Sequence, residues 1–281
     1  MKILFYGNCQ IGAIKDIMKK TLQNYSITLI LCWIENIDKI NFMEKIKEAN
    51  IIITQPINVN YRNTDYLDTE FILKNAKPET KIIIIPSLYF NFYYFDLTYK
   101  TLNNSELLRI PSDYHYNTII NNYNTDNNLI YNQINDVNLK SKEELENIAL
   151  ASIKELEKRE NEMMIYNNLH KCVIITVSNY IDNNYKNTLL FYSMNHPTKY
   201  LFHHITKKII KILNIDDIND YSIDPLASNE RGILYKCIQN IVNFDINNHT
   251  PRLCKCDLET KEEIINKYIE IYKEIDLKSK L

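Results

Sequence analysis

A cysteine stands between two amide side chains in "YGNCQIG", near the start of a chain with only 3 glycines in 281 residues. Two of those glycines, Gly7 and Gly12, flank it. A thiolate attacks carbonyl carbons readily, and Cys9 falls where an apolar run gives way to a helical pattern. There it meets unpaired backbone N–H groups and the positive end of a helix dipole, which are expected to lower its pKa. The same N–H groups can receive the oxyanion of a tetrahedral intermediate. Gly7 is expected to permit the tight turn, and Gly12 to let the helix start approach the sheet or a ligand. Asn8 and Gln10 offer amide groups beside the thiol. The plain alternative is a small core residue, since cysteine is among the most buried types.

A histidine is the second candidate. In "MNHPTKY" the proline suits the first turn of a helix, leaving Asn195 or His196 at the cap. A neutral imidazole there can take a proton from an acceptor hydroxyl and return it. His115 follows Asp113 by two residues in "SDYHYNT" and is the lesser candidate. His203 and His204 read as partly buried residues of the helix that follows, and His170 and His249 have no supporting context. No H-x-x-x-H or H-E-x-x-H occurs, and the six cysteines at 9, 32, 172, 237, 254 and 256 lack zinc-like spacing, so no metal is expected.

These residues need a scaffold. "KILFYG" reads as a strand, and "QIGAIKDIMKK" places Ile11, Ile14, Ile17 and Met18 on one helical face. "SITLILCWI", "NIIITQP" and "TKIIIIPSLYF" read as further buried strands, with helices in "INFMEKIKEA" and "DTEFILKNA" between them. Uniformly apolar strands alternating with amphipathic helices predict a doubly wound, mainly parallel α/β sheet in a flavodoxin- or SGNH-like arrangement. Ligands of such sheets bind beyond the carboxyl ends of the strands. That edge here reads "YGNCQIG", "TQP", "IPSLYF" and, with "TLLFYSM" as a return to the sheet, "MNHP". Gln55 and Ser87 thereby join the shortlist, each as a cap for backbone groups or a partner for substrate. The aromatic run "PSLYFNFYYFD" is either core or a wall for a pantetheine arm or sugar ring.

The Asn-rich middle predicts a mostly helical insertion or lobe at 101–165, with Ser141 and Glu144 forming a capping box for a long helix. A helical tail is expected over 216–281. One α/β domain over 1–281 is the simplest organisation. With 33 basic and 35 acidic residues, no charge field points to nucleic acid or membrane. No apolar stretch is long enough to span a bilayer. The start does not read as a signal peptide, so a cytoplasmic protein with reduced thiols is expected. Self-association is left open.

Taken in order, G-N-C-Q, "TQP", "IPSLYF", "DYH", "NHP" and the later "DPL" resemble the WcbI family of capsular-polysaccharide biosynthesis proteins, from residue 7 to about 226. The resemblance implies acetyltransferases that use coenzyme A. It also implies that Asn8, Cys9 and Gln10 lie in the active cleft, with Gln55, Ser87, Tyr89, His115, Asn195 and His196 near it. Where the family carries a histidine–proline–aspartate stretch, this chain has Tyr94, Phe95 and Asp96. The expected function is acyl transfer from coenzyme A to a glycan precursor, with Cys9 as nucleophile and His196 or His115 as base. A Cys/His thiol hydrolase or esterase, and a non-catalytic coenzyme A- or nucleotide-binding module, are the alternatives.

Overall fold

The computed structural model describes residues 1–99 and 112–279. The chain divides into two compact, interleaved units. The first holds Met1–Leu88, Ile153–Asp182 and Pro197–Pro225; the second holds Tyr89–Ser152, Asn183–His196 and Leu226–Leu281.

Unit 1 contains the sheet. Its elements are β1 (Lys2–Gly7), α1 (Cys9–Ile17), β2 (Ser26–Leu31), α2 (Lys39–Glu48), β3 (Ile51–Thr54), α3 (Thr69–Asn75) and β4 (Lys81–Ile84). The strands are parallel, in the order β2-β1-β3-β4 plus one more strand, given below. On one sheet face Leu4, Tyr6, Ile52, Ile82 and Ile84 pack with Phe42 and Ile46 of α2 and Ile72 and Leu73 of α3. The alternate residues Ile3, Phe5, Ile51, Ile53 and Ile83 are equally buried, so both faces are covered. In α1, Ile11, Ile14 and Ile17 are buried as the helical spacing predicts, and Met18 caps the helix with no exposure. Asp38 and Asp68 accept N–H bonds at the starts of α2 and α3.

Unit 2 begins with Tyr89. It contains a ribbon of β5 (Leu97–Tyr99) and β6 (Tyr114–Tyr116), then α4 (Asn117–Asn122) and α5 (Asn127–Asn135). The long helix α6 (Lys142–Glu162) starts here and runs on into unit 1. Its capping box forms as expected: Ser141 Oγ accepts from the Glu144 N–H, and Glu144 accepts from the Ser141 N–H at 2.7 Å. The expected boundary at residue 101 lies outside the described residues.

The fifth strand of the parallel sheet is β7 (Cys172–Ile174), on the far side of β4. Next come α7 (Ser178–Asn184), β8 (Phe191–Ser193), β9 (His196–Pro197), α8 (Lys199–Leu213) and α9 (Lys261–Ser279). The apolar run 189–194 therefore does not rejoin the parallel sheet; among the described residues, β8 pairs only with β9. Thr198, not Asn195 or His196, is the N-cap residue of α8. The expected helical tail is regular only in α9. From 216 to 260 the chain makes turns and short 3-10 segments, in which Asp217, Asp220 and Asp245 accept from backbone N–H groups two residues on instead of leaving them to a helix.

The sheet order, counted along the chain, is 2-1-3-4-5, the flavodoxin-like order, with its topological switch between β1 and β3. The doubly wound α/β fold expected from the sequence is the fold observed.

Candidate functional site

Parallel register aligns the strand ends. Tyr6 pairs with Thr54, Thr54 with Ile84 and Ile84 with Ile174, while Gly7 pairs with Leu31. Asn8, Cys32 and Gln55 therefore leave β1, β2 and β3 along one edge.

Two buried glutamines join the loops there. Gln55 Oε1 accepts from the Asn8 N–H at 3.1 Å, and Gln55 Nε2 donates to Gln10 Oε1 at 2.7 Å and, at longer range, to the Pro86 carbonyl. Gln10 Oε1 also accepts from the Leu88 N–H, and Gln10 Nε2 donates to the Leu88 carbonyl at 2.9 Å. Both side chains are 1% exposed. Their amides are committed to backbone and to each other, so they position the loops and are not aimed at a ligand. Asn8 caps α1 by accepting from the Gln10 N–H.

Cys9 is the first residue of α1 and is only partly exposed. Burial pushes its thiol up from the ordinary value, and the N–H groups of Cys9 and Gln10, which favour the thiolate, offset this only in part. The expected lowering is thus reversed: desolvation outweighs the helix start. The two glycines also divide. A Cβ on Gly7 would lie 2.6 Å from Ile11 Cγ1 and 2.8 Å from Gln55 Oε1, whereas one on Gly12 would meet only ordinary contacts at 3.8 and 3.9 Å. Gly7 is needed for the turn; the close approach expected of Gly12 is absent. The third glycine, Gly232, makes room for Tyr94 in unit 2, where a Cβ would fall 2.5 Å from the ring.

A cavity of about 690 Å³ opens at this edge within unit 1. Asn8, Cys32, Gln55, Pro86 and Ser87 line it beside the strand ends; Tyr61, Arg159 and Tyr166 line it elsewhere. Its size falls in the usual range for ligand sites. The Tyr61 hydroxyl bonds the Cys32 thiol, whose pKa burial raises. Cys32, Tyr61 and Arg159 were not singled out from sequence. Cys32 could have been, because it ends a strand just as Asn8 and Gln55 do. Tyr61 sits in an Asn-rich loop and Arg159 on a helix assigned to the insertion, and neither carries a local signal.

Unit 2 holds the remaining candidates. His196 is half-buried; its Nδ1 faces the Glu230 carbonyl at 3.5 Å, its ring meets Tyr114 edge-on, and burial lowers its pKa. An Nδ1–H directed at a carbonyl leaves Nε2 as the basic nitrogen. Asn195 Oδ1 accepts from the Tyr114 hydroxyl and, at 3.3 Å, from Ser193. Tyr89 is partly buried. His115, by contrast, has no exposure and shares a short hydrogen bond with the Tyr272 hydroxyl of α9. It is a core residue that cannot meet an acceptor.

The aromatic run is likewise core. Phe90, Phe92, Tyr93 and Tyr94 are at most 1% exposed, and the Phe90 ring packs against Phe92, Tyr93, Tyr185 and Phe191. Asp96 accepts from the Tyr235 hydroxyl and the Thr118 N–H, so it ties unit 2 together. Glu230 was missed in the sequence; burial pushes its carboxyl up to about 7, against a smaller lowering by Ser112.

Among the described residues, no group of three or more His, Cys, Asp or Glu side chains could hold a metal ion. None of the described helices is long and apolar enough to cross a membrane.

A family model described as "Polysaccharide biosynthesis enzyme WcbI" matches residues 2–217. No curated protein matches the chain. Among solved structures, the fold is similar to one of WcbI, described as a novel polysaccharide biosynthesis enzyme, native and without a disulfide bond between coenzyme A and a cysteine. The two share 18% identity with a TM-score of 0.80, over 97% of this chain and 90% of that one.

Proposed function

The chain belongs to the WcbI family of polysaccharide biosynthesis enzymes, and from that premise we propose that it transfers an acyl group from coenzyme A to a hydroxyl of a surface-polysaccharide precursor. The observation that carries this reading is the placement of Cys9. It opens α1 at the carboxyl edge of the sheet, beside the β1/β3 switch, one residue from the cavity-lining Asn8. The description of the WcbI structure in terms of coenzyme A and a cysteine supports coenzyme A as the carrier.

In the proposed reaction the Cys9 sulfur, having lost its proton, attacks the thioester carbonyl. The carbonyl electron pair moves to oxygen, where the Cys9 N–H is a suitable donor; the Gln10 N–H is held by Asn8 Oδ1. Collapse breaks the carbon–sulfur bond to coenzyme A, whose departing thiolate takes up the proton that Cys9 gave, and leaves an acyl thioester on Cys9. The acceptor hydroxyl then attacks that thioester, its proton passes to a base, and the Cys9 thiolate is released. A neutral imidazole with Nε2 basic, the state of His196, suits that role. His115 is withdrawn from that role.

The test follows acetyl transfer from acetyl-coenzyme A to a glycan precursor in Cys9→Ala. Turnover is expected to fall by more than about 10³-fold while coenzyme A still binds. An acetyl-sized mass increment should appear on the wild-type peptide containing Cys9. Unchanged turnover in Cys9→Ala rules out the covalent role. His196→Ala, in the same assay, should keep the acyl-enzyme and lose its acceptor-dependent discharge.

A further inference from the structure

The chain has one tryptophan, and it is not in the core: Trp33 is 56% exposed. It directly follows Cys32, a residue of the cavity wall. Its backbone is held from the opposite loop. Arg62 Nη1 donates to the Trp33 carbonyl at 3.0 Å and to the Ile34 carbonyl at 2.7 Å, and Arg62 directly follows Tyr61, another wall residue. The loop that delivers this guanidinium is strained. Asn60, Arg62 and Asn63 all have positive φ, at 59°, 55° and 57°. Asparagine tolerates that region; arginine does so at a cost. An arginine held in a left-handed conformation, with its guanidinium occupied in fixing two carbonyls, ties the 33–34 segment in place directly beside the wall residues Cys32 and Tyr61.

A large aromatic side chain left half in water on a segment so tied is suited to stacking. The opposite wall does not offer a strong alternative handle for a phosphorylated ligand. Arg159 is there, but it is paired with Glu155, and Glu162 lies on the same wall. With Arg159 paired to Glu155 and Glu162 paired to Lys158, the charges of that wall are mutually engaged, so net electrostatic attraction for phosphate is small and a flat ring at the rim is the stronger handle.

We propose that Trp33, fixed by Arg62 at the rim of the cavity, is a stacking platform for the nucleobase of a phosphorylated ligand. The inference rests on the reading above insofar as that base is the adenine of coenzyme A. The base of a nucleotide-linked sugar has the same chemistry, and the experiment separates the two sources.

Because the chain has a single tryptophan, its emission, excited at the red edge where tyrosine absorbs little, reports Trp33 alone. Wild-type protein is titrated with coenzyme A, adenosine 3′,5′-bisphosphate, pantetheine and a uridine or guanosine diphosphate sugar. Saturable quenching by coenzyme A and the bisphosphate, but not by pantetheine, assigns the platform to adenine. Quenching by the nucleotide sugar alone assigns it to the acceptor's base. In calorimetry, Trp33→Ala should weaken the quenching ligand about 5- to 100-fold, as loss of one base–aromatic stack does, and leave pantetheine binding unchanged. Trp33→Phe should recover most of that affinity, and the exposed position leaves the circular dichroism of both variants as in the wild type.

The inference is overturned if no base-bearing ligand quenches Trp33, or if Trp33→Ala binds the base-bearing ligands within twofold of wild type. Coenzyme A that binds and is turned over without Trp33 overturns this inference and leaves the acyltransferase reading standing. Base-dependent quenching in a protein that transfers no acyl group does the reverse.

Discussion

Gln55→Leu tests whether the Cys9 loop is held by the buried amides. Leucine nearly preserves volume, so the effect is one of hydrogen bonding. The substitution removes the acceptor of the Asn8 N–H at 3.1 Å and the donor to Gln10 Oε1 at 2.7 Å. Gln10 Oε1 keeps the Leu88 N–H, so it loses one of two partners; the Asn8 N–H loses its only observed acceptor. An unsatisfied, partly buried donor plus one lost amide bond should cost about 2–3 kcal/mol. For a chain of this size that corresponds to a fall of about 4–12 °C in Tm. Trp33 emission reads the transition of unit 1, to which it belongs. The reactivity of the Cys9 thiol toward iodoacetamide should rise in the same variant, because the turn that shelters it loses its tie to β3. Gln55→Glu sharpens the test. A carboxylate can still accept from Asn8 but faces Gln10 Oε1 and the Pro86 carbonyl with no proton to offer, so it should be worse than leucine at neutral pH and recover in acid. A Tm within 1 °C of wild type and alkylation within about twofold for Gln55→Leu would show that the amide pair does not position the loop.

The glycines flanking Cys9 should respond with opposite signs. Gly7→Ala forces a methyl to within 2.6 Å of Ile11 Cγ1 and should destabilise by about 1–3 kcal/mol, whereas Gly12→Ala, inside a helix and meeting only ordinary contacts with Leu29 and Leu31, should stabilise by about 0.5–1 kcal/mol; denaturant titration of both checks the sign. Glu230, with its folded pKa near 7 against an ordinary 4.5, contributes stability that is present in full below pH 4.5 and lost as pH rises to about 7. His249, lowered to about 4 by burial, slopes the other way across much of that window and masks the effect in the wild type. The stability of Glu230→Gln relative to wild type should therefore grow by up to about 3 kcal/mol between those pH values and then level off; a difference independent of pH refutes the assignment.

Elements dictated by local periodicity were legible in the sequence. The uninterrupted apolar runs at 51–53 and 82–85 became central strands because both sheet faces are covered, and the spacing of Ile11, Ile14 and Ile17 named the buried face of α1. Partner choice was not legible. An apolar run announces burial without naming the sheet, so Phe191–Ser193 was read into the parallel sheet while the three-residue β7 took that place. The site divides along the same line. Asn8, Cys9 and Gln55 could be placed from where strands end. The bond between Gln10 and Gln55 spans 45 positions, and His115 is fixed by a residue 157 positions away, so no local pattern announced either.

The raised pKa of Cys9 also bears on how a helix-start thiol would work. If the N–H groups of Cys9 and Gln10 fully stabilised a resting thiolate, they would favour the ground state and weaken the nucleophile, since nucleophilicity falls with thiol pKa. In this site desolvation outweighs them. Under the proposed reaction the Cys9 N–H then contributes most where negative charge moves from sulfur to the carbonyl oxygen. That is the differential stabilisation that speeds a step, as opposed to binding that deepens the resting state. The free protein holds its thiol protonated near neutrality, so the first proton transfer must accompany binding or attack. A base acting on the incoming hydroxyl alone is not enough to start the cycle. Alkylation of Cys9 should accordingly rise with pH through a value above that of an ordinary thiol.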